Sequence, residues 1–322
     1  GISFFTFQQI GFLADAYKGE VGACSLREYV LFVSFFPYVS SGPIVNAQEM
    51  LPQYRQIGRQ RPDWEKFAGG LYLFALGLSK KVLLADTFGK AVDAGYGNVA
   101  GLSGTDAWLV MLFYTLQLYF DFSGYCDMGR GIAHMLGMEL PVNFDSPYKA
   151  SNIIEFWKRW HITLNRFLRK YVYIPLGGNR KGKARTFFNL FVVWSLTALW
   201  HGANYNFLIW GGILLCCLLV EKLFLLRLLD KSRVIGHLYV LFVVPLSWVA
   251  FAVTDLSELG VYMTRLFPFA GHAAGVINHL DYLKYLNDYA PLFLLGVLFA
   301  TPLPETCYRL IERKWIGRVI LL

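Results

Sequence analysis

The stretch SLTALWHGANYNFLIWGG, Ser195–Gly212, decides how the rest of the chain is read. It sits inside Thr186–Val220, a run with no Asp, Glu, Lys or Arg. Such a run is solvated by lipid or by protein rather than by water. As one helix its 35 residues would be about 52 Å long, well beyond the roughly 30 Å of a bilayer core. The run must therefore break, and HGAN, with Gly202 and Asn204, is where it has breakers. The two halves, roughly 15 and 17 residues, place His201 at their junction.

Working outward, further uncharged runs occur at Tyr29–Gln48, Val234–Thr254 and Tyr289–Pro304. Only 16% of the residues are charged and 56% are hydrophobic, against about 25% charged in an ordinary soluble domain. These runs are continuous and do not alternate with period two, which excludes a β-barrel reading. The composition predicts an all-α, polytopic membrane protein, read as one domain over residues 1–322. The opening GISFFTFQQIGFLADAYKGE has neither an initiator Met nor a basic n-region, so it is read as part of a chain whose N-terminal portion lies upstream. Helices are expected at 2–17, 28–40, 66–84, 106–121, 126–137, 187–200, 204–229, 236–254 and 290–300. Gly42-Pro43 within FFPYVSSGPIVNAQEMLPQY predicts a re-entrant or broken segment, and Lys80-Lys81 a helix ending near an interface.

The net charge of +8 is concentrated. Between Asp145 and Arg185 ten Lys/Arg face two acids, so this segment holds the whole excess. A basic loop between spans predicts a cytoplasmic position for residues around 177–185. Nucleic-acid binding is set aside because the basic segment is short and flanked by membrane runs. Within it, SNIIEFWKRWHITLNRFLRKY opens with Asn152 and Glu155 in helix-start spacing. Apolar residues then recur every three or four positions, interleaved with Lys158, Arg159, Arg166, Arg169 and Lys170. That pattern predicts a basic amphipathic helix, lying at the membrane surface or wedged between spans.

Several chemistries lack their residues. GGNRKGKA, Gly177–Ala184, misses the phosphate-loop pattern at Ala184, which has no hydroxyl for Mg²⁺, and no βαβ unit surrounds it. No G-x-S-x-G elbow exists. Histidines 134, 161, 201, 237, 272 and 279 form no H-x-x-x-H pair, and the five cysteines show no C-x-x-C spacing, so neither a metal site nor a bound cofactor is expected. Two histidines, each preceded by Trp, remain: His161 and His201. An ionisable residue in an apolar span is a functional candidate, and a neutral imidazole is suited to general-base work. Asp121 and Asp127 in YFDFSGYCDMGRG also interrupt an apolar region, as capping carboxylates near Ser123 or as groups on a substrate path.

At these residues the sequence resembles the membrane-bound O-acyltransferase (MBOAT) family, in its bacterial branch of alginate and peptidoglycan O-acetyltransferases. YFDFSGYCDMGRG, EFWKRWHITLNRFLRKYVYIPLGGNR and LWHGANYNFLIWG carry the likeness, in that order, and weaker similarity covers most of residues 1–225. Two departures are Lys170, where the branch often has Asp, and Cys126, in place of a more usual Ser. The resemblance implies an MBOAT fold with a tunnel meeting at the family's invariant histidine, here His201. It places His161 at the second active-site position. It implies a cytoplasmic acyl donor such as acetyl-CoA or another acyl thioester as co-substrate. The protein would lie in the bacterial inner membrane and the acceptor would be an extracytoplasmic polysaccharide such as alginate or peptidoglycan, with an extracytoplasmic acyltransferase or esterase-like partner protein completing the transfer. Asp121, Ser123, Asp127, Trp200 and Asn204 are then candidates for the substrate path, and Arg159, Arg166, Arg169 and Arg180 for attraction of an anionic donor or of lipid headgroups. The rival within the family is D-alanyl transfer to teichoic acid. The rivals outside it are a transporter or flippase, which predicts an inverted repeat not seen in the sequence, and a non-catalytic scaffold.

Overall fold

The computed structural model describes residues 2–57, 63–267, 280–304 and 306. His272, His279 and Cys307 lie outside the described residues. Among the described residues there are helices and no strands. Among the described residues, three helical segments are long and apolar enough to cross a membrane: Trp64–Tyr96, Tyr205–Leu229 and Arg233–Ala252.

The amino-terminal part runs from α1 (Ile2–Tyr17) to α2 (Leu26–Ser34), then α3 (Phe36–Val39) and α4 (Ala47–Gln56). The helix expected at 28–40 is thus two, parted at Phe35 with Pro37 opening the second. Pro37 has no N–H to give to the carbonyl of Val33 and its ring crowds that carbonyl, so α2 cannot run on through it, whereas the first turn of a new helix tolerates Pro. The expected broken segment is present between α3 and α4, with Ile44 and Val45 each 2% exposed. Irregular backbone is tolerated there because protein covers it.

α5 (Trp64–Ser79) begins the helix expected at 66–84, but the helical path does not end near there. It passes through a single π-turn, Lys80–Ala85, into α6 (Asp86–Tyr96). The two lysines are neutralised by ion pairs, Lys80 with Asp127 at 2.6 Å and Lys81 with Asp86 at 2.6 Å and Asp121 at 2.5 Å. The separate helices expected at 106–121 and 126–137 are one, α7 (Gly104–Met135), 32 residues and about 48 Å long. Gly124 lies within it, and its role is close packing. A Cβ at Gly124 would lie 2.7 Å from the carbonyl oxygen of Gly77, and one at Gly131 would lie 2.6 Å from that of Gly70. Glycines seven residues apart on α5 therefore meet glycines seven apart on α7, letting the backbones touch as small residues do between membrane helices.

The expected amphipathic helix is also two short ones, α8 (Ile153–Arg159) and α9 (Ile162–Leu168), the latter extended by a π-turn Arg169–Tyr173. Of the two placements the sequence allowed, the wedged one is found. Ile153 and Phe156 are fully buried, and Leu164, Phe167 and Leu168 are each 5% exposed. α10 (Gly182–His201) and α11 (Tyr205–Val220) follow, broken where HGAN requires. α11 continues through a π-turn, Glu221–Leu225, to α12 (Leu226–Leu229). Then come α13 (Arg233–Ala252), α14 (Leu256–Leu266) and α15 (Asp281–Phe299). Glu221, completely buried, accepts the N–H groups of Ile153 (2.6 Å) and Ile154 (3.0 Å). A carboxylate from α11's extension thereby caps α8 and satisfies two donors that a helix start leaves unpaired.

Candidate active site

His201 is the last residue of α10, and Gly202 leaves the helix in extended backbone. Its ring packs edge-on against Trp200, Trp210 and Phe251 at centroid distances of 4.9, 5.1 and 5.1 Å. Neither ring nitrogen has a hydrogen-bond partner among the described residues.

His161 stands where α8 and α9 part, in left-handed backbone at φ 46° and ψ 54°. Such a conformation is uncommon for a residue with a side chain and persists only where neighbours impose it. Here Asn143 imposes it. The backbone oxygen of Asn143 accepts the N–H of Ile162 at 3.0 Å, and its side-chain oxygen accepts the N–H of Thr163 at 3.1 Å. These are the first two donors of α9, which His161 itself does not cap. The side-chain oxygen also meets His161 Nδ1 at 3.2 Å. The His161 ring is 3% exposed, stacked on Phe4 at 5.9 Å and edge-on to Phe122 at 4.8 Å.

The two histidines line one cavity of about 520 Å³. Its apolar wall comes from α7 (Leu118, Phe122), α8 (Trp157) with Trp160 just past its end, α10 (Trp194), α11 (Trp210) and α13 (Trp248, Phe251). Lys158, Asn165, Arg169, Tyr173, Asn179 and Lys222 add polar and cationic groups. A largely apolar cavity with a few convergent polar groups is the usual form of a small-molecule site. Within it, an unprotonated imidazole can take a proton from a hydroxyl, and the cations can hold an anionic group.

The other sequence candidates fall in several places. Trp200 packs against both histidine rings, at 5.9 Å from His161 and 4.9 Å from His201, but does not line the cavity. Asp121 and Asp127 also lie outside the lining, in the ion pairs with Lys81 and Lys80. Ser123 is buried on α7, away from the lining, and Asn204 is exposed at the start of α11. Of the four arginines only Arg169 reaches the cavity. Arg159 pairs with Asp145 (2.5 Å) and Glu155 (2.9 Å), and Arg166 forks onto Glu49 at 2.5 and 3.0 Å. Arg180 is exposed on the turn before α10, a turn with Gly177, Gly178 and Gly182 at positive φ. Among the described residues no group of three metal-ligating side chains occurs.

Asn143 and Asn206 were not legible as site residues. Asn143 lies in a loop between Pro141 and Pro147 without periodicity. Asn206, fully buried, ties α11 to the end of α13 by donating to Ala250 O (3.3 Å) and Phe251 O (3.0 Å). That bond fixes Phe251 against His201, whereas the sequence drew attention to Asn204 two residues earlier.

Fold and site together define a polytopic α-helical membrane protein with a histidine pair enclosed among its helices. The chain belongs to the membrane-bound O-acyltransferase family, whose profile matches residues 5–239. It is 36% identical to a peptidoglycan O-acetyltransferase of Helicobacter pylori, over 96% of this chain and 64% of that protein. It is 38% identical to a probable alginate O-acetylase of Pseudomonas aeruginosa, over 87% of this chain and 54% of that one. A teichoic acid D-alanyltransferase of Bacillus subtilis is 28% identical over 67% of this chain. The chain thus spans between half and two thirds of the length of the first two.

Proposed function

We propose that the chain carries the acyl-transfer centre of an O-acetyltransferase acting on an envelope polysaccharide. The observation that carries this reading is that His161 and His201, forty residues apart, line the same cavity. The names of the two relatives closer than the D-alanyltransferase supply the acyl group and the class of acceptor. A ring nitrogen of His201 takes the proton of an acceptor hydroxyl as its oxygen attacks the carbonyl carbon of an acyl thioester. The resulting tetrahedral oxyanion collapses, the carbon–sulfur bond breaks, and the imidazolium returns its proton to the leaving thiolate. The acceptor is the polysaccharide hydroxyl or the nucleophile of an extracytoplasmic partner that completes the transfer. His161 either polarises the thioester carbonyl or orients the attacking hydroxyl.

The donor is a thioester such as acetyl-CoA, whose phosphates Lys158, Arg169 and Lys222 at the cavity would attract. The surplus of basic residues in 145–185 supports a cytoplasmic position for the turn at 177–185 in an inner membrane. The test is a transfer assay in membranes holding the full-length protein, with labelled acetyl-CoA and labelled D-alanyl thioester offered in parallel. Acetyl transfer to polysaccharide without D-alanyl transfer is expected. D-alanyl transfer alone would replace this reading with the teichoic acid one.

A further inference from the structure

The geometry points to Asn143 as a positioning residue that fixes the tautomer of His161 and leaves its Nε2 as a bare hydrogen-bond acceptor on a ring that lines the cavity. This rests on the acyl-transfer reading for its purpose, though not for its geometry.

Asn143 is 1% exposed, and one end of its amide lies 3.1 Å from the backbone nitrogen of Thr163. That nitrogen only donates, so this end of the amide is oxygen. Thr163 Oγ1 receives the N–H of Ile44 at 2.9 Å, which directs its own hydrogen to the same amide oxygen, 3.0 Å away. The NH₂ end of Asn143 donates to the Cys126 sulfur at 3.4 Å. A flipped amide would set NH₂ against the Thr163 N–H, losing that bond and opposing donor to donor.

With the oxygen fixed, the group 3.2 Å from it, His161 Nδ1, must carry hydrogen, because an amide oxygen cannot donate. In the neutral ring Nε2 then bears the lone pair. Nε2 is buried without a hydrogen-bond partner among the described residues, on a ring that lines the cavity. A lone pair there accepts a hydrogen bond from a hydroxyl and cannot donate one to a carbonyl oxygen. Of the two roles left for His161, orienting the attacking hydroxyl is therefore assigned, and polarising the thioester is not. Free imidazole would leave the choice of tautomer open. Asn143, itself held by three other hydrogen bonds, removes that choice.

The test is solid-state NMR of the full-length protein in lipid bilayers with ¹⁵N-labelled histidine, the His161 resonances being those lost in His161→Gln. The wild type is expected to show Nδ1 protonated and Nε2 bare at neutral pH. Asn143→Leu is expected to populate the Nε2–H form and to lower kcat between about 10- and 10⁴-fold with KM little changed. Asn143→Asp, which still accepts from Nδ1–H, is expected to keep the tautomer and most of the activity. An Nε2–H or doubly protonated ring in the wild type overturns the inference, whether or not any Asn143 variant inserts properly. An unchanged tautomer in Asn143→Leu overturns the part assigned to Asn143. The spectrum is read without substrate, so absence of acetyl transfer would sink the functional reading and leave the tautomer assignment to stand or fall by itself.

Discussion

Two glycine-to-alanine substitutions, chemically identical, are expected to act in opposite directions. Gly77 on α5 faces α7 so closely that a Cβ would lie 2.5 Å from Gly124 O and 2.7 Å from Met128 N, both backbone atoms. Ordinary contact begins near 3.4 Å, so the new methyl starts about 0.9 Å too close to atoms that no rotamer can move. Either the two helices separate locally or one bends. Overpacking of this kind costs up to about 3 kcal/mol. Alanine returns somewhat under 1 kcal/mol through its better helix propensity. The net expectation for Gly77→Ala is a loss of about 2 kcal/mol. Gly212, in the middle of α11, is exposed and meets nothing within 4 Å. There the propensity gain is unopposed, and Gly212→Ala is expected to stabilise by about 0.5–1 kcal/mol. The assay is unfolding of each purified variant in mixed micelles across a denaturing-detergent titration, compared with the wild type. Separation of α5 from α7 also moves Phe122 relative to His161, so Gly77→Ala should lose activity where Gly212→Ala does not. Equal stability of the two variants, within about 0.5 kcal/mol, would refute the close-packing argument.

Other expectations follow from buried and charged groups. Glu221→Leu strips two α8 donors of their acceptor and should destabilise by about 1–3 kcal/mol, seen as faster proteolysis near residues 150–160. Lys170→Met leaves Asp15, 1% exposed, with Tyr171 (2.7 Å) and Gln48 (2.8 Å) as its side-chain donors among the described residues, and should cost about 1–3 kcal/mol in the same detergent titration. The Arg55 guanidinium beside Glu28, aided by Ser25, holds that carboxyl down at about 2 instead of the usual 4.5. Because the folded value is the lower, the stabilisation is complete above about pH 4.5 and disappears as pH falls from there through 2. Glu28→Gln should flatten the acid side of the stability profile in that window, and an unchanged profile would dismiss the pair as a contributor.

Much of the fold was legible because lipid imposes simple demands. A charge-free run of 35 residues cannot be one straight span, so a break followed from length, and Gly202 and Asn204 put it at His201. The extent of α7 was not legible. Gly124 looks like a breaker in sequence, but a helix packed against another glycine-bearing helix tolerates it, and only the partner at Gly77 reveals this. The basic stretch at 152–171 has sound helical periodicity, yet His161 interrupts it in left-handed backbone. The cause, Asn143, lies 18 positions upstream, where no local pattern could announce it. The same limit holds for charge. Composition located the basic segment, but which cations reach the cavity depends on which are already paired, as Arg159 and Arg166 are with acids at a distance in sequence.

The central claim is that chemistry takes place at His201, and its most direct test compares wild type with His201→Ala. Both full-length proteins are brought to matched expression and intact folding in membranes, and labelled acetyl transfer to polysaccharide is measured. A positioned proton acceptor contributes about 10²–10⁴-fold, so the variant is expected to lose that much turnover while remaining folded. Transfer at the wild-type rate in a folded His201→Ala protein would make this histidine structural and contradict the account.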